Sequence, residues 1–395
     1  MSDCSTDIVI IGGGLAGAAL ALLLRKRRAV SVTLVEAVPL PISNEVPFTP
    51  SFDARSTALS AGTLAIFSQL GIVDALLPYA ADIDVVHVSR RGRPGFAEIS
   101  ASEENLSRLG AVVENRWLGR VLLNAVRADS GITVIAPDKA VALTRLEAGY
   151  KVCLESGTEL VCRLLVAADG AESKTRDMLG VGAEHHDTGH AALIANIGLS
   201  QPHKGRAYER FVEDGPLAML PMTDDRSALI WTGPRARIEH LLALSATDFL
   251  AQVQEQFGQR LGTLKSAGER VTYPLILTRT FAQALPHAVI VGNAAHTLHP
   301  VAGQGFNLTL RDLHLLADKV CAAPNIGELA PLQAYVDARV SDQALISRVS
   351  HWLPSFFRIQ TGAVSHLRQL GLIAFDMLPA VRSRFARKAM GFAND

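Results

Sequence analysis

The amino-acid sequence predicts an α/β fold: a Rossmann-like unit with an inserted antiparallel sheet and a C-terminal helical tail. Three observations predict it. Buried, β-branched or aliphatic runs at Asp7–Ile11, Arg163–Ala168 and Ala288–Val291 each lead into a glycine-containing turn. Between the second and third of these lie short alternating runs separated by Gly, Pro and Asp. The C-terminal residues are rich in apolar and basic side chains. At 395 residues the chain exceeds one typical core. The pattern divides it into a discontinuous nucleotide-binding domain (1–75, 105–185 and 280–335), a second domain (76–104 and 186–279) and a helical segment (336–395).

The first element is the strand Asp7-Ile8-Val9-Ile10-Ile11, suited to a parallel strand covered on both faces. Gly12-Gly13-Gly14-Leu15-Ala16-Gly17 follows and fills G-x-G-x-x-G with Gly12, Gly14 and Gly17. A helix rich in Ala and Leu spans Ala18 to Arg28, and a second strand, Val32–Val35, ends on Glu36. Glu36 stands nineteen residues after Gly17, close to the roughly 20 expected of a dinucleotide fold. The first glycine permits the turn, the second lets a pyrophosphate approach the backbone, and the third lets the helix pack on the strand. The helix start offers free N–H groups and a positive dipole end. Glu36 can accept hydrogen bonds from both hydroxyls of an adenosine ribose and would repel a 2′-phosphate. These features together point to a dinucleotide site, but do not separate NAD from FAD.

The same segment raises a membrane or export question, because Ile8 to Leu24 has no charge over seventeen residues. A spanning helix needs about 20 apolar residues. A signal peptide carries positive charge before its apolar run, whereas Asp3 and Asp7 stand there, and three consecutive glycines interrupt the run. The expected location is therefore cytoplasmic. Lys+Arg and Asp+Glu are 38 each, which argues against nucleic-acid binding. The four cysteines lie too far apart for a C-x-x-C site. Lys151–Leu154 and Glu159–Leu164 read as a hairpin around Ser156-Gly157. A two-residue turn there sets Cys153 opposite Leu160 and Cys162 opposite Lys151, so the two thiols are not partners.

Two more motifs follow. Arg163–Ala168 runs into Asp169-Gly170, with Ser173 and Arg176 beyond; Asp-Gly is also common in plain turns. Ala288–Val291 runs into Gly292-Asn293-Ala294-Ala295-His296-Thr297-Leu298-His299-Pro300, then Gly303-Gln304-Gly305-Phe306-Asn307-Leu308 opens a helix. Its N–H groups, aimed at an isoalloxazine ring, would stabilise the negative charge of a reduced flavin.

These three ordered motifs, spread over residues 7–312, resemble the FAD-dependent aromatic hydroxylases of the para-hydroxybenzoate hydroxylase class. Within that class, Gly292 to Leu308, Asp53–Ser60 and Pro216–Pro221 resemble the ubiquinone-biosynthesis hydroxylases, closest to the 2-polyprenyl-6-methoxyphenol hydroxylases. The broad class usually carries Asp where Asn293 stands; the methoxyphenol subgroup uses Asn. The resemblance implies that Gly12, Gly14, Gly17 and Glu36 bind the ADP half of FAD. Arg55 would sit near the pyrophosphate or the nicotinamide partner. Arg120, on a helix from Leu118 to Ala128, would reach the phosphate or ribityl region. Asp169 and Gly170 would face both FAD and the pyridine nucleotide. Gly292 and Asn293 would hold the ribityl chain, while Pro300, Gly303, Gly305, Phe306 and Asn307 line the ring.

The implied reaction is aromatic hydroxylation: NAD(P)H reduces FAD, O₂ forms the C4a-hydroperoxyflavin, and one oxygen passes to a prenylated phenol. His296 and His299 are candidates to deprotonate the phenol, or alternatively to shape the loop by hydrogen bonding; no catalytic side chain and no metal ligand is assigned. Other activities compatible with the motifs are a different FAD-dependent hydroxylase, a prenyl-lipid reductase, or an FAD-binding assembly subunit without turnover. The segment 351–395 carries six basic against two acidic residues among Trp352, Phe356, Phe357 and several leucines. It suits peripheral contact with the inner face of a membrane, docking on a biosynthetic partner, or packing on its own domain.

Overall fold

The structure, a computed structural model, describes residues 4–40, 55–92, 94–297 and 304–339. Strand Cys4–Ile11 lies at the centre of an eight-stranded sheet, parallel to Val32–Val35 on one side and to Glu159–Ala167 on the other. Ile132–Ile135 extends the sheet beyond Val32–Val35, and Ala288–Ile290 joins the far end of Glu159–Ala167, both in parallel.

Alternation along the central strand sends its side chains to two different layers. Ile8 and Ile10 pack under the helices Leu15–Arg27, Asn115–Ala128 and Gln304–Ala322. Val9 and Ile11 face the opposite way, against Tyr150, Val152 and Leu154 of a β-meander. The first helix is buried along most of its length because Ala and Leu occupy every side of it. Arg25, Lys26 and Arg27 sit in its last turn, where they complement the dipole. The uncharged stretch from Ile8 to Leu24 is thus strand, turn and helix. Among the described residues no single helix is long and apolar enough to cross a membrane.

The hairpin at Tyr150–Cys162 forms with a register different from the expected one. Tyr150 pairs with Cys162, Lys151 with Val161, Val152 with Leu160 and Cys153 with Glu159. The turn holds three residues, Glu155, Ser156 and Gly157, closed by Leu154 N donating to Thr158 O at 2.9 Å and Gly157 N to Leu154 O at 3.0 Å. Gly157 has φ +87°, the left-handed residue that a three-residue hairpin turn requires. The two thiols remain apart, and burial pushes the Cys162 thiol up to about 12, which makes it inert.

A nine-stranded sheet forms the second layer system. Its middle runs Val271–Thr280, Ala183–Leu199, Arg226–Pro234, Pro216–Met222 and Arg206–Phe211, each pair antiparallel. The four runs read in 186–279 pair antiparallel as expected; beyond them the sheet continues where Arg206–Phe211 pairs in parallel with Val85–Arg90. That strand belongs to a distant part of the chain, so no hairpin turn dictates its direction. Helices Arg235–Ala243 and Ala246–Phe257 cover one face of this sheet over Leu193, Leu229 and Trp231. The other face meets a three-stranded sheet of Ser56–Ser60, Gly110–Glu114 and Ala80–Ile83, through Ala207, Ala218, Leu220 and Ala228 on one side and Ala58, Ile83 and Val112 on the other.

Candidate functional site

The glycine turn sits at the carboxyl end of the central strand. Gly12 has φ +108°, and a Cβ there would lie 2.4 Å from Ala168 O and 2.9 Å from Asp169 Cα. A Cβ on Gly17 would lie 1.9 Å from Gly12 O. Both positions therefore exclude side chains by contact with backbone, which cannot move aside cheaply. Gly14 differs: it is the N-cap of helix Leu15–Arg27, with extended backbone at φ −68°. That helix start has no side-chain cap and no acid in its first turn. Uncapped N–H groups at a positive dipole end suit an anion such as a pyrophosphate.

Glu36 closes the other side of the turn. Gly13 N donates to Glu36 Oε2 at 2.7 Å, and Val38 N donates to Glu36 Oε1 at 3.1 Å. A carboxylate oxygen takes more than one hydrogen bond, so the head keeps acceptor capacity for ribose hydroxyls while the backbone bonds hold its orientation.

The second motif reaches the turn through its backbone, Ala168 O and Asp169 Cα. The Asp169 carboxylate is engaged locally: Ser173 Oγ donates to Oδ1, and Thr175 N and Oγ1 donate to Oδ2 at 3.0 and 2.8 Å. Ser173 in turn caps the short helix Lys174–Met178 by accepting from Arg176 N at 2.9 Å. Gly170, at φ +91°, makes the bend between strand and cap.

The third motif closes onto the same place. Gly292 opens a 3₁₀ turn, Gly292–Ala294, with φ +59°. A Cβ there would lie 3.4 Å from Ala16 Cβ and 3.5 Å from Thr309 Cγ2, so the turn lies between the first helix and helix Gln304–Ala322. Asn293 is exposed in this turn, Gly305 is exposed at the start of the later helix, and Phe306 is half-buried. Pro300 and Gly303 lie outside the described residues, as does His299.

Three predicted site residues carry interactions that the sequence did not indicate. Asn307 is 2% exposed and clips its helix to the strand Ser56–Ser60 and the helix after it. Its Oδ1 accepts from Ser60 N at 2.9 Å and Thr63 Oγ1 at 2.7 Å, and its Nδ2 donates to Ala58 O at 2.7 Å. Arg120 lies 5.9 Å above the Tyr79 ring and 5.8 Å from that of Trp117, two rings stacked at 4.5 Å. Arg55 lies 4.6 Å above the ring of Tyr273 in the nine-stranded sheet and so bridges the two layer systems.

Arg176 and His296 complete the surroundings. Arg176 is buried and donates from Nη1 to Ala171 O and Ala294 O at 3.2 and 3.1 Å, joining the second motif to the third. Its only sequence signal was its place six residues after Asp169-Gly170. Burial lowers the pKa of His296, against the opposing pull of Asp312 at 3.7 Å. Among the described residues no group of three or more His, Cys, Asp or Glu could hold a metal ion.

The FAD binding domain family matches residues 5–345. This chain belongs to the FAD binding domain family. The match spans all three motifs, and the uncapped helix, the glycine cradle and Glu36 fit the pyrophosphate and ribose of FAD. The chain is 32% identical to ubiquinone hydroxylase UbiL of Rhodospirillum rubrum over 394 residues, covering 99% of this chain and 90% of that protein. It is 30% identical to 3-demethoxyubiquinol 3-hydroxylase of Escherichia coli over 404 residues, covering 99% and 100%. Among solved structures of the same fold is p-nitrophenol 4-monooxygenase PnpA from Pseudomonas putida, with TM-score 0.79, 16% identity and 100% of both chains covered. HpxO from Klebsiella pneumoniae in complex with FAD has TM-score 0.73 and 15% identity, with 98% of each chain covered.

Proposed function

We propose that this FAD binding domain protein is a flavin-dependent monooxygenase that hydroxylates the ring of a polyprenylated methoxyphenol in ubiquinone biosynthesis, using NAD(P)H and O₂. The observation that carries the proposal is the convergence of the Gly12 turn, the uncapped start of helix Leu15–Arg27 and the Gly292 turn on one place. The ubiquinone hydroxylase names of relatives at 32% and 30% identity support the substrate class.

In this reading the backbone N–H groups that follow Gly14 bind the pyrophosphate, and Glu36 accepts from the adenosine ribose. Asn293 bonds the ribityl chain, and the start of helix Gln304–Ala322 faces the ring system. Bound FAD would supply the redox chemistry, taking electrons from NAD(P)H and activating O₂. The rest falls to the protein: orienting the phenol ring, excluding water and handling its hydroxyl proton. The face of the nine-stranded sheet turned towards Arg55 would wall the substrate, with the prenyl chain leaving along apolar surface. The one dinucleotide motif serves FAD, so NAD(P)H would dock transiently near the Asp169 turn. We assign the protein to the cytoplasmic side, with 351–395 as its contact with a membrane or a partner.

Turnover of 2-prenyl-6-methoxyphenol with NAD(P)H in ¹⁸O₂ tests the proposal by mass spectrometry. One labelled hydroxyl in the product is expected. Unlabelled product would place the oxygen's source in water, and hydrogen peroxide as the sole product would remove the assigned substrate.

A further inference from the structure

Glu209 occupies a position that neither the motifs nor the family assignment explains. It lies on strand Arg206–Phe211, directly opposite Ala218 on one side and Val88 on the other. Following the register outward, Ala218 pairs with Ile230, Ile230 with Ile194, and Ile194 with Val271. Glu209 is thus the one charged residue in a row of apolar side chains crossing the sheet. Directly paired residues point to the same face, and so do residues two apart on one strand. Ala207 and Ala218 belong to the core between this sheet and the three-stranded sheet, with Ile230 and Val86 packed against it. Glu209 therefore points to that same side, away from the two covering helices. Tyr273 points there too, since it pairs with Ala192, two residues from Ile194. Arg55, at the start of the strand Ser56–Ser60, covers Tyr273.

The side chain is enclosed but not sealed. Glu209 keeps part of its surface accessible, while burial alone pushes its carboxyl up to about 7. The carboxyl is thus half-buried at the margin of the core between the two sheets. Among the described residues no hydrogen bond or ion pair holds its head. The charged groups around it are accounted for. Arg206 bonds Glu98, and Arg210 bonds Gln256 O and Ser89, both on the opposite face. His87 also lies on that face, beside Tyr208 and Glu98. Arg90, opposite Phe211, follows two pairs along on the same face as Glu209. From the three-stranded sheet, Glu114 is held by Arg116 and Arg226, and Asp82 by Arg108.

We propose that Glu209 is the proton acceptor for the phenolic hydroxyl of the substrate, on the sheet face turned towards Arg55. The inference rests on the monooxygenase reading above and deepens it. The O–H bond of the phenol breaks, its proton passes to a Glu209 carboxylate oxygen, and the electron pair stays on the phenol oxygen. No electrons are exchanged in this step. The resulting phenolate feeds electron density into the ring carbon that accepts oxygen. A carboxyl titrating near neutrality suits this role better than an ordinary one, because it is basic enough to compete for the proton and still ionised at working pH.

The test uses the FAD-loaded full chain and its E209Q and E209D variants, with 2-prenyl-6-methoxyphenol and its O-methyl ether as probes. Flavin content and binding of the ether, which has no proton to give, are expected to be unchanged in both variants. Hydroxylation of the phenol by E209Q at pH 7 is expected to fall about 10²-fold or more, with KM little changed. It recovers as pH rises towards the phenol's own pKa, near 10. E209D is expected to retain part of the rate. The ultraviolet spectrum of bound phenol reports phenolate in the wild type at pH values where E209Q shows neutral phenol. An E209Q variant with wild-type rate and pH profile overturns the assignment. A wild-type enzyme that holds FAD yet hydroxylates no phenol overturns the parent reading instead.

Discussion

Arg176 Nη1 lies 3.1 Å from the carbonyl oxygen of Ala294, across 118 residues of sequence. This one bond ties the turn after Asp169-Gly170 to the turn that carries Asn293. The guanidinium is 4% exposed, and a second bond from Nη1 reaches Ala171 O. Substituting Arg176→Met keeps much of the volume but strands two carbonyl groups. Hydrogen bonds from charged groups contribute roughly 1.5–3 kcal/mol each, so a clear fall in melting temperature is expected. Looser FAD retention should accompany it, because two cofactor-binding turns lose their common anchor. Equilibrium dialysis of flavin alongside thermal unfolding checks both; unchanged retention would show that the two turns hold their places without Arg176.

The glycines of the first motif are expected to separate into two kinds. Gly14→Val places its side chain beside the uncapped helix start, where the backbone conformation permits it, so folding should persist while FAD is lost. Gly17→Ala forces a methyl to within 1.9 Å of Gly12 O. That substitution should destabilise the protein even without cofactor, by about 1–3 kcal/mol as in other overpacked sites. Flavin absorbance per protein and urea unfolding of the apo-proteins distinguish the cases. Heat-denatured wild type should release FAD, not FMN, since the proposed partner of Glu36 is an adenosine ribose that FMN lacks.

Asn307→Leu removes the clip between helix Gln304–Ala322 and strand Ser56–Ser60. It leaves Ser60 N–H, Thr63 Oγ1–H and Ala58 C=O without this partner in a buried setting. Each unpaired buried group costs about 1–3 kcal/mol, so the stability loss should exceed any effect on the affinity of the folded protein for FAD. A large loss of affinity at unchanged stability would place the Asn307 amide on the flavin.

Removing 351–395 is expected to weaken pelleting with anionic vesicles more than it lowers flavin content. Every residue proposed to bind the cofactor lies before residue 313. Both quantities are measured on one truncated preparation. Soluble FAD-loaded protein that pellets as before would remove the membrane role, and insoluble apo-protein would mark the segment as core.

Much of the cofactor site was legible in sequence because its determinants are local. A β-branched strand, glycines that must admit φ +108° or a backbone at contact distance, and an acid nineteen residues on all act within one βαβ unit. The strands at Val32–Val35 and Ala288–Ile290 were legible for the same reason: a continuous apolar run specifies burial on both faces. The roles of Asn307 and Arg120 were not. Their partners, Ser60 and Tyr79, lie 247 and 41 residues away and are chosen by how the layers stack.

By itself, the sequence determined the nucleotide-binding unit, the order of its three motifs and the family they resemble. Only the tertiary structure decided which groups those motifs meet. Period-two alternation states that Ala207, Glu209 and Phe211 share a face, but not whether that face lies under the helices or against the three-stranded sheet. That choice came from the pairing of Arg206–Phe211 with a distant parallel strand and from Arg55 reaching across to Tyr273. Likewise, the hairpin at Cys153 and Cys162 was visible, while its register waited on the left-handed turn at Gly157. Local pattern sets which side chains must be buried; the long-range pairing of strands and layers sets what they are buried against.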